Sequence, residues 1–169
     1  FAAAGGGVAT GWTLYPPQAI SVGTPGSHIG ITLMLVSLAI FIVGFTMGGL
    51  NYVVTVLQAR CRGMTMMRMP LSVWGIFMAT ILALLAFPAL FVSAIMMTLD
   101  LTLGTSFFMP SGLYIGGKVV EVAGGGNPLL WQHLFWFLAH PEVYVLILPA
   151  LGIVAEVLAN NTRKPLWGY

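Results

Sequence analysis

The sequence predicts an all-α integral membrane protein, built as a bundle of transmembrane helices. Hydrophobic residues make up 59% of the 169 residues and charged residues 6%, and the mean hydropathy is +0.97. Three apolar segments are each long enough to cross the hydrocarbon core of a bilayer, which takes about 20 helical residues. This composition excludes a soluble domain. The net charge of +2 is too small to indicate nucleic acid as a partner, and the single cysteine excludes an internal disulfide.

Residues 1–27 are predicted to begin with the end of an apolar segment and to continue as a loop. It contains the motif GWTLYPP, in which Pro16 and Pro17 stop any helix. Trp12 and Tyr15 suit an aromatic belt at the membrane surface. Because the sequence starts on Phe1 and ends soon after a loop begins, we expect a piece of a longer subunit.

The first predicted span covers residues 29–57. Gly44, Gly48 and Gly49 give it a small-residue face for close contact with another helix. Asn51 is the strong polar group near its end. We expect Asn51 to form an interhelical hydrogen bond, with a place in a proton path as the alternative.

The loop that follows, residues 58–69, carries the densest positive charge in the sequence. Its basic residues are Arg60, Arg62 and Arg68, so the positive-inside rule places this loop on the cytoplasmic or matrix side. The methionines around Arg68 are interpreted as pliable packing rather than as copper ligands, because no His or Cys accompanies them.

The second predicted span covers residues 70–99, with Pro70 at its first turn, a kink at Pro88 and Asp100 closing it. The next loop, up to Asn127, has no positive excess and is therefore predicted to lie outside. Within residues 109–123 a small hairpin is expected around Gly116 and Gly117.

The third predicted span covers residues 129–158 and is followed by Arg163 and Lys164, which are again inside. Its segment WQHLFWFLAHPEVYVLILP contains two His and one Glu at membrane depth, where a titratable group is costly unless it is paired, wetted or bound. His140 lies about 11 residues from the outer end, roughly 16 Å of helical rise, so these groups are expected near mid-membrane.

The spacing within this span predicts two separate surfaces. His140 and Tyr144 are four residues apart, so the imidazole and the phenol should touch on one face of the helix. Glu142 lies roughly 200° around the helix from each and should face a different space. Imidazole is a good copper ligand, a phenol can supply an electron and a proton, and a buried carboxyl can pass protons on.

The stretch QHLFWFLAHPEVYVLILPALGI resembles the sixth transmembrane helix of subunit I of the heme-copper terminal oxidases. In that family the His of HPEVY is a copper ligand, the Tyr is covalently joined to it, and the Glu ends a proton pathway. The resemblance assigns these roles to His140, Tyr144 and Glu142. It places Trp136 beside the copper ligand. GWTLYPP resembles the external loop between the third and fourth helices, which places Trp12 in the heme vicinity, and GMTMMRMPLSVW resembles the loop into the fifth helix.

The resemblance therefore implies helices four to six of a twelve-helix subunit I. The expected function is reduction of O2 to water with electrons from cytochrome c, coupled to proton pumping. The implied cofactors are copper (CuB) and low-spin and high-spin heme. The implied partners are oxidase subunits II and III, cytochrome c or quinol as donor, O2 and the lipid bilayer. The expected location is a bacterial inner (plasma) membrane, with the mitochondrial inner membrane as the alternative.

Several positions depart from the family pattern. Ala139 replaces a common Gly, and Ala155 stands where a Ser often begins the second proton path. Because of these changes, the resemblance does not determine the exact path of water through the bundle. The proton-path candidates are Glu142, Asn51 and Glu156. Glu156 resembles bacterial members, and a simple position near the inner interface is its alternative.

Four other functions compete with this prediction. Quinol oxidation is possible within the same superfamily, and so is nitric oxide reduction, although the corresponding helix of those reductases lacks the tyrosine. A proton-coupled secondary transporter could use His140 and Glu142 as a relay, but no internal repeat supports it. A purely structural membrane subunit would not need Glu142.

Overall fold

The computed structural model describes residues 7–8, 10–21, 29–115, 117–119 and 124–169. The long elements are α1 (Ile29–Gln58), α2 (Leu71–Leu103) and α3 (Pro128–Thr162). All three helices are long and apolar enough to cross a membrane, and the strands in the described residues comprise one short hairpin. The fold is therefore the all-α membrane helix bundle that the sequence predicts.

The chain divides into two compact units, and each of the three helices contributes to both. Unit 1 comprises residues 1–43 and 88–137, and unit 2 comprises residues 44–87 and 138–169. Unit 1 contains the GWTLYPP turn and the loop between α2 and α3. Unit 2 contains the basic loop between α1 and α2 and the HPEVY segment.

The ends of α2 follow local chemistry. Its first residue is Leu71, and the Pro70 carbonyl accepts a hydrogen bond of 3.1 Å from the Trp74 N–H. The expectation that Asp100 closes the helix is wrong, because α2 continues to Leu103. Gly104 follows with a φ of +68°. Glycine adopts this left-handed conformation without steric cost, which makes it a common residue just past a helix end.

Asp100 instead organises the loop that follows α2 in unit 1. Its side chain is only 5% exposed. One carboxylate oxygen accepts hydrogen bonds from the Thr105 hydroxyl at 2.5 Å and the Phe107 N–H at 2.9 Å. The other accepts the Phe108 N–H at 2.9 Å. A buried carboxylate needs such donors to offset its lost hydration, and here they fold the chain back at the end of α2.

The same loop is closed at its base before α3 begins. The Gly126 N–H donates to the Met109 carbonyl at 3.0 Å, and the Asn127 N–H donates to the Phe107 carbonyl at 3.1 Å. A Cβ on Gly126 would lie 2.0 Å from the Ser106 carbonyl oxygen, so only glycine permits this approach. Residues 107–109 and 126–127 thus form a backbone-bonded stem.

The expected hairpin is present in the loop that this stem encloses. Strands β1 (Tyr114–Ile115) and β2 (Lys118–Val119) pair antiparallel, with Tyr114 opposite Val119. Gly117, in the turn, has a φ of +79°, whereas Gly116 lies outside the described residues. Tyr114, Lys118 and Val119 are exposed, so the hairpin is a surface feature.

The close helix contact in unit 2 uses different glycines from those expected. A Cβ on Gly75 would lie 2.5 Å from the Leu148 carbonyl oxygen, and one on Gly152 would lie 2.4 Å from the Leu71 carbonyl oxygen. These two glycines therefore let the backbones of α2 and α3 touch.

The expectation for the glycine face of α1 holds in part. Gly49 contacts Thr80 and Leu84 of α2, where an added Cβ would meet side-chain atoms at 3.2 Å. Among the described residues, no atom lies within 4 Å of a Cβ added to Gly44 or Gly48. The crossing of α2 with α3 is therefore the tighter backbone contact of unit 2.

Asn51 forms a hydrogen bond within its own helix. Its side-chain oxygen accepts a hydrogen bond of 3.3 Å from the Thr55 hydroxyl, one turn further along α1, because the i, i+4 spacing brings the two side chains together. Both side chains are exposed. The interhelical hydrogen bond expected for Asn51 stays a prediction.

We expect Gly152→Ala to destabilise the protein because its Cβ would meet backbone rather than a flexible side chain. Overpacking of this kind typically costs about 1–3 kcal/mol. Gly48→Ala is the matched control, since its Cβ meets no atom of the described residues within 4 Å. Thermal unfolding of the two variants of the full-length protein in detergent should show the lower midpoint for Gly152→Ala. Equal midpoints would contradict the close crossing.

Candidate metal and proton-transfer site

The centre of the site is the pair His140 and Tyr144 on α3. Their ring centroids lie 5.0 Å apart, with an interplanar angle of 67°. The contact follows from the i, i+4 spacing, which places the two side chains on one helix face. The predicted contact is confirmed. Both rings are exposed in this chain, so neither is fully enclosed by the described residues.

Glu142 lies two residues from both rings, on the same continuous helix. The helical spacing turns its side chain roughly 200° away from each of them. The burial expected for Glu142 is not provided by this chain, in which the side chain is exposed. Any apolar enclosure of the carboxyl must therefore come from other parts of the protein.

In unit 1, Trp136 of α3 contacts Trp12 of the GWTLYPP turn. Their ring centroids lie 5.9 Å apart with an interplanar angle of 80°. The Trp136 indole N–H donates a hydrogen bond of 2.5 Å to the Tyr15 hydroxyl. Trp12 also packs on Phe135, at 5.3 Å between centroids. The turn is thereby fixed to the N-terminal part of α3, which no spacing rule applied to either segment alone could predict.

A second indole strengthens this attachment. Trp131 is fully buried, and its N–H donates to the Thr13 carbonyl at 2.9 Å. Its ring packs edge-on against Phe108 at 5.5 Å and stacks on Phe135 at 5.9 Å. Because the N–H of Phe108 is held by Asp100, the stack joins the loop after α2 to α3 and to the GWTLYPP turn. Sequence reasoning did not identify Thr13, Phe108 or Asp100 as positioning groups.

Glu156 is half-buried and faces the beginning of α2 in unit 2. One carboxylate oxygen accepts hydrogen bonds from both the N–H and the hydroxyl of Ser72, each at 3.0 Å. The hydroxyl lies 3.0 Å from the second oxygen as well. The first N–H groups of a helix have no partner within the helix, so a carboxylate there is favourable. Glu156 thus caps α2 from a neighbouring helix.

The donor set for a metal is partial. Within the described residues, no three side chains of His, Cys, Asp or Glu come together as a metal-binding group. His140 offers one exposed imidazole with a phenol ring beside it, which fits one copper ligand and not a complete copper site. Further ligands would have to come from residues outside the described part of the chain.

Comparison with known proteins decides the family. The model of the cytochrome c and quinol oxidase polypeptide I family matches residues 1–169, which is the whole chain. The chain belongs to this family. The resemblance drawn from HPEVY and GWTLYPP is therefore confirmed, and with three spanning helices the chain is part of a multi-pass membrane protein.

Bacterial relatives support the oxidase family membership. The chain is 64% identical over 165 residues to the alternative cytochrome c oxidase subunit 1 of Bradyrhizobium diazoefficiens. It is 42% identical over 165 residues to cytochrome c oxidase subunit 1 of Bacillus sp. PS3, and 40% identical over 169 residues to that of Corynebacterium efficiens. These matches cover 98% to 100% of the chain but only 24% to 28% of the relatives. The chain therefore spans about a quarter of their length.

Proposed function

We propose that this chain is part of the catalytic subunit of a respiratory terminal oxidase that reduces O2 to water. The observation that carries the proposal is the contact between His140 and Tyr144, at 5.0 Å between ring centroids, inside a chain that matches the oxidase family throughout. Neither residue type alone is distinctive. An imidazole and a phenol in contact at mid-helix suit a reaction that requires a metal ligand beside a source of protons and electrons.

His140 is assigned as one ligand of the copper, CuB, and Tyr144 as a redox-active donor beside it. When bound, the copper and the hemes supply the electron transfer and the O2-binding centre. His140 binds through an imidazole nitrogen and holds its position through the helix. Tyr144 supplies a proton from its hydroxyl and an electron from its ring to the reacting oxygen. The two rings meet edge to face, with an interplanar angle of 67°.

Glu142 is assigned to the proton pathway that serves this reaction and the pumping of protons. It lies on the same helix as His140 but turns away from it, so it can take up protons from one space and deliver them toward another. Asn51 and Glu156 are the weaker candidates for the path. Their hydrogen bonds to Thr55 and Ser72 show that each is an acceptor, which a water chain could share.

Trp136 and Trp12 are assigned to the heme vicinity. Trp136 is 41% exposed and Trp12 is 63% exposed, and together they form an aromatic surface that packs on the buried Phe135. Large planar aromatic faces suit contact with a flat apolar macrocycle. The hydrogen bond from Trp136 to Tyr15 fixes the orientation of this surface.

The expected setting is a bacterial inner membrane, in a complex with oxidase subunits II and III. The bacterial relatives and the three spanning helices support this assignment. The positive-inside rule assigns two segments to the cytoplasmic side. They are the loop between α1 and α2, which carries Arg60, Arg62 and Arg68, and the segment after α3, which carries Arg163 and Lys164.

Cytochrome c is the proposed electron donor, and quinol is the second candidate because the family description includes quinol oxidases. All three relatives named above are called cytochrome c oxidases, which favours the first. We expect the full-length enzyme to oxidise reduced cytochrome c with consumption of O2. Oxygen-electrode assays with reduced cytochrome c and with a quinol test this directly, and oxidation of the quinol alone would contradict the cytochrome c assignment.

The competing functions are less consistent with these observations. Tyr144 argues against nitric oxide reduction, because the resemblance gives the corresponding helix of those reductases no tyrosine. Membership in the oxidase family replaces the hypothesis of a secondary transporter, which rested on His140 and Glu142 alone.

A further inference from the structure

We propose that Trp131 is a positioning residue for the proposed oxidase site. Its indole N–H holds the GWTLYPP turn in a strained backbone conformation, and the turn so held places Trp12 and Tyr15 against Trp136 of α3. The hold on the turn is a property of this chain. Its consequence for O2 reduction rests on the proposed function, in which Trp12 and Trp136 lie in the heme vicinity.

The GWTLYPP turn contains one residue in an unfavourable backbone conformation. Leu14 has a φ of +49°, in the left-handed region that residues with a branched apolar side chain rarely occupy. The hydrogen bond from its N–H to the Gly11 carbonyl is long, at 3.4 Å. Pro16 and Pro17, which follow Tyr15, have no N–H to donate. Contacts from outside the turn are therefore needed to keep Leu14 in this conformation.

Two indoles of α3 supply such contacts, one on each side of Leu14. The Trp131 N–H donates to the Thr13 carbonyl at 2.9 Å, and the Trp136 N–H donates to the Tyr15 hydroxyl at 2.5 Å. The Thr13 carbonyl belongs to the peptide group that leads into Leu14, so its direction changes whenever the φ of Leu14 changes. The bond from Trp131 therefore resists that rotation directly, whereas the bond from Trp136 holds only a side chain.

Trp131 is itself held in place. Its ring contacts Phe108 edge-on and stacks on Phe135. Trp131, both phenylalanines and Leu14 are all buried, and all belong to unit 1. The chain itself buries them, so this contact needs no covering by the rest of the subunit. A buried carbonyl that lost its donor would remain unpaired, which makes the hydrogen bond costly to break.

Two replacements at Trp131 separate the hydrogen bond from the packing of the ring. Trp131→Phe removes the N–H and keeps an aromatic ring beside Phe108 and Phe135. Incorporation of 3-benzothienylalanine at the same position replaces the N–H with sulfur and keeps the whole bicyclic ring. The second replacement gives a folded protein even where the smaller ring of the first leaves a cavity.

Hydrogen–deuterium exchange of the full-length enzyme in detergent tests the hold on the turn. The backbone N–H groups of residues 12–15 should exchange about tenfold faster in both variants, the factor expected when one buried hydrogen bond is lost from a local opening equilibrium. Peptides from α1 should exchange at the unmodified rate. The heme absorption bands of the loaded enzyme should shift in both variants, because Trp12 and Tyr15 are released.

Trp74→Phe is the matched control. It removes another indole N–H, which donates to the Met66 carbonyl at 3.0 Å in unit 2. Exchange should become faster near Met66, while residues 12–15 and the heme bands should stay unchanged.

Unchanged exchange of residues 12–15 in the benzothienyl variant would overturn the positioning role of Trp131. Faster exchange spread equally over the turn and α1 would also overturn it, because that result indicates general destabilisation. Faster exchange confined to the turn, with unchanged heme bands, would support the positioning role and contradict the heme-vicinity assignment of Trp12 and Trp136 instead.

Discussion

Replacement of His140 with Asn should abolish O2 reduction by the full-length enzyme while heme binding largely survives. Asn keeps a polar side chain of similar reach but offers copper a poor ligand. Changes to residues that only orient metal ligands typically cost about 10–100-fold, so loss of the ligand itself should exceed about a hundredfold. Elemental analysis should show less copper, and optical spectra should show the hemes still present.

His133→Asn is the matched control for this variant. His133 carries the same imidazole on the same helix, two turns earlier, and is also exposed. It has no aromatic contact in the described structure comparable to that of His140 with Tyr144. Copper content and turnover should be close to normal in this variant. Normal copper content or full activity in His140→Asn would refute the ligand assignment.

Replacement of Glu142 with Gln should lower turnover by about a hundredfold or more, because Gln keeps the hydrogen-bonding capacity but cannot carry a proton. Copper and heme spectra should remain intact. In a single-turnover reaction with O2, electron transfer should begin normally and stall at the first step that needs a proton. A pH-sensitive dye should report slow or absent proton uptake at that point.

Glu142→Asp separates proton transfer from packing. Asp keeps the carboxyl but withdraws it by one methylene, so turnover should fall less than in the Gln variant. A structural Glu would instead damage assembly and spectra in both variants together. Uptake and pumping at the unmodified rate in Glu142→Gln would show that the proton route runs elsewhere.

The parts of the molecule that sequence predicted well depend on local periodicity and composition. Apolar length predicted the three spanning helices, and the i, i+4 rule predicted the contact of His140 with Tyr144. The turn chemistry around Gly117 indicated the hairpin. Each of these features is determined within a few neighbouring residues, where sequence spacing and spatial distance are closely related.

The parts that sequence missed depend on contacts between distant segments. Glu156 reaches Ser72 across 84 positions, and Trp131 reaches Thr13 across 118. Asp100 was interpreted as a helix end because the residues that donate to it belong to an irregular loop, for which no period exists. Gly75 and Gly152 were not singled out, since isolated glycines show no stripe along either helix.

The stem formed by residues 107–109 and 126–127 separates the loop that it encloses from the helix that follows. Its hydrogen bonds close the base of residues 110–125, and Asp100 anchors one side of it to α2. Length changes within the enclosed loop need not be transmitted to α3, because the stem fixes the position at which that helix begins. An insertion or deletion in the hairpin should therefore leave the position of HPEVY along α3 unchanged.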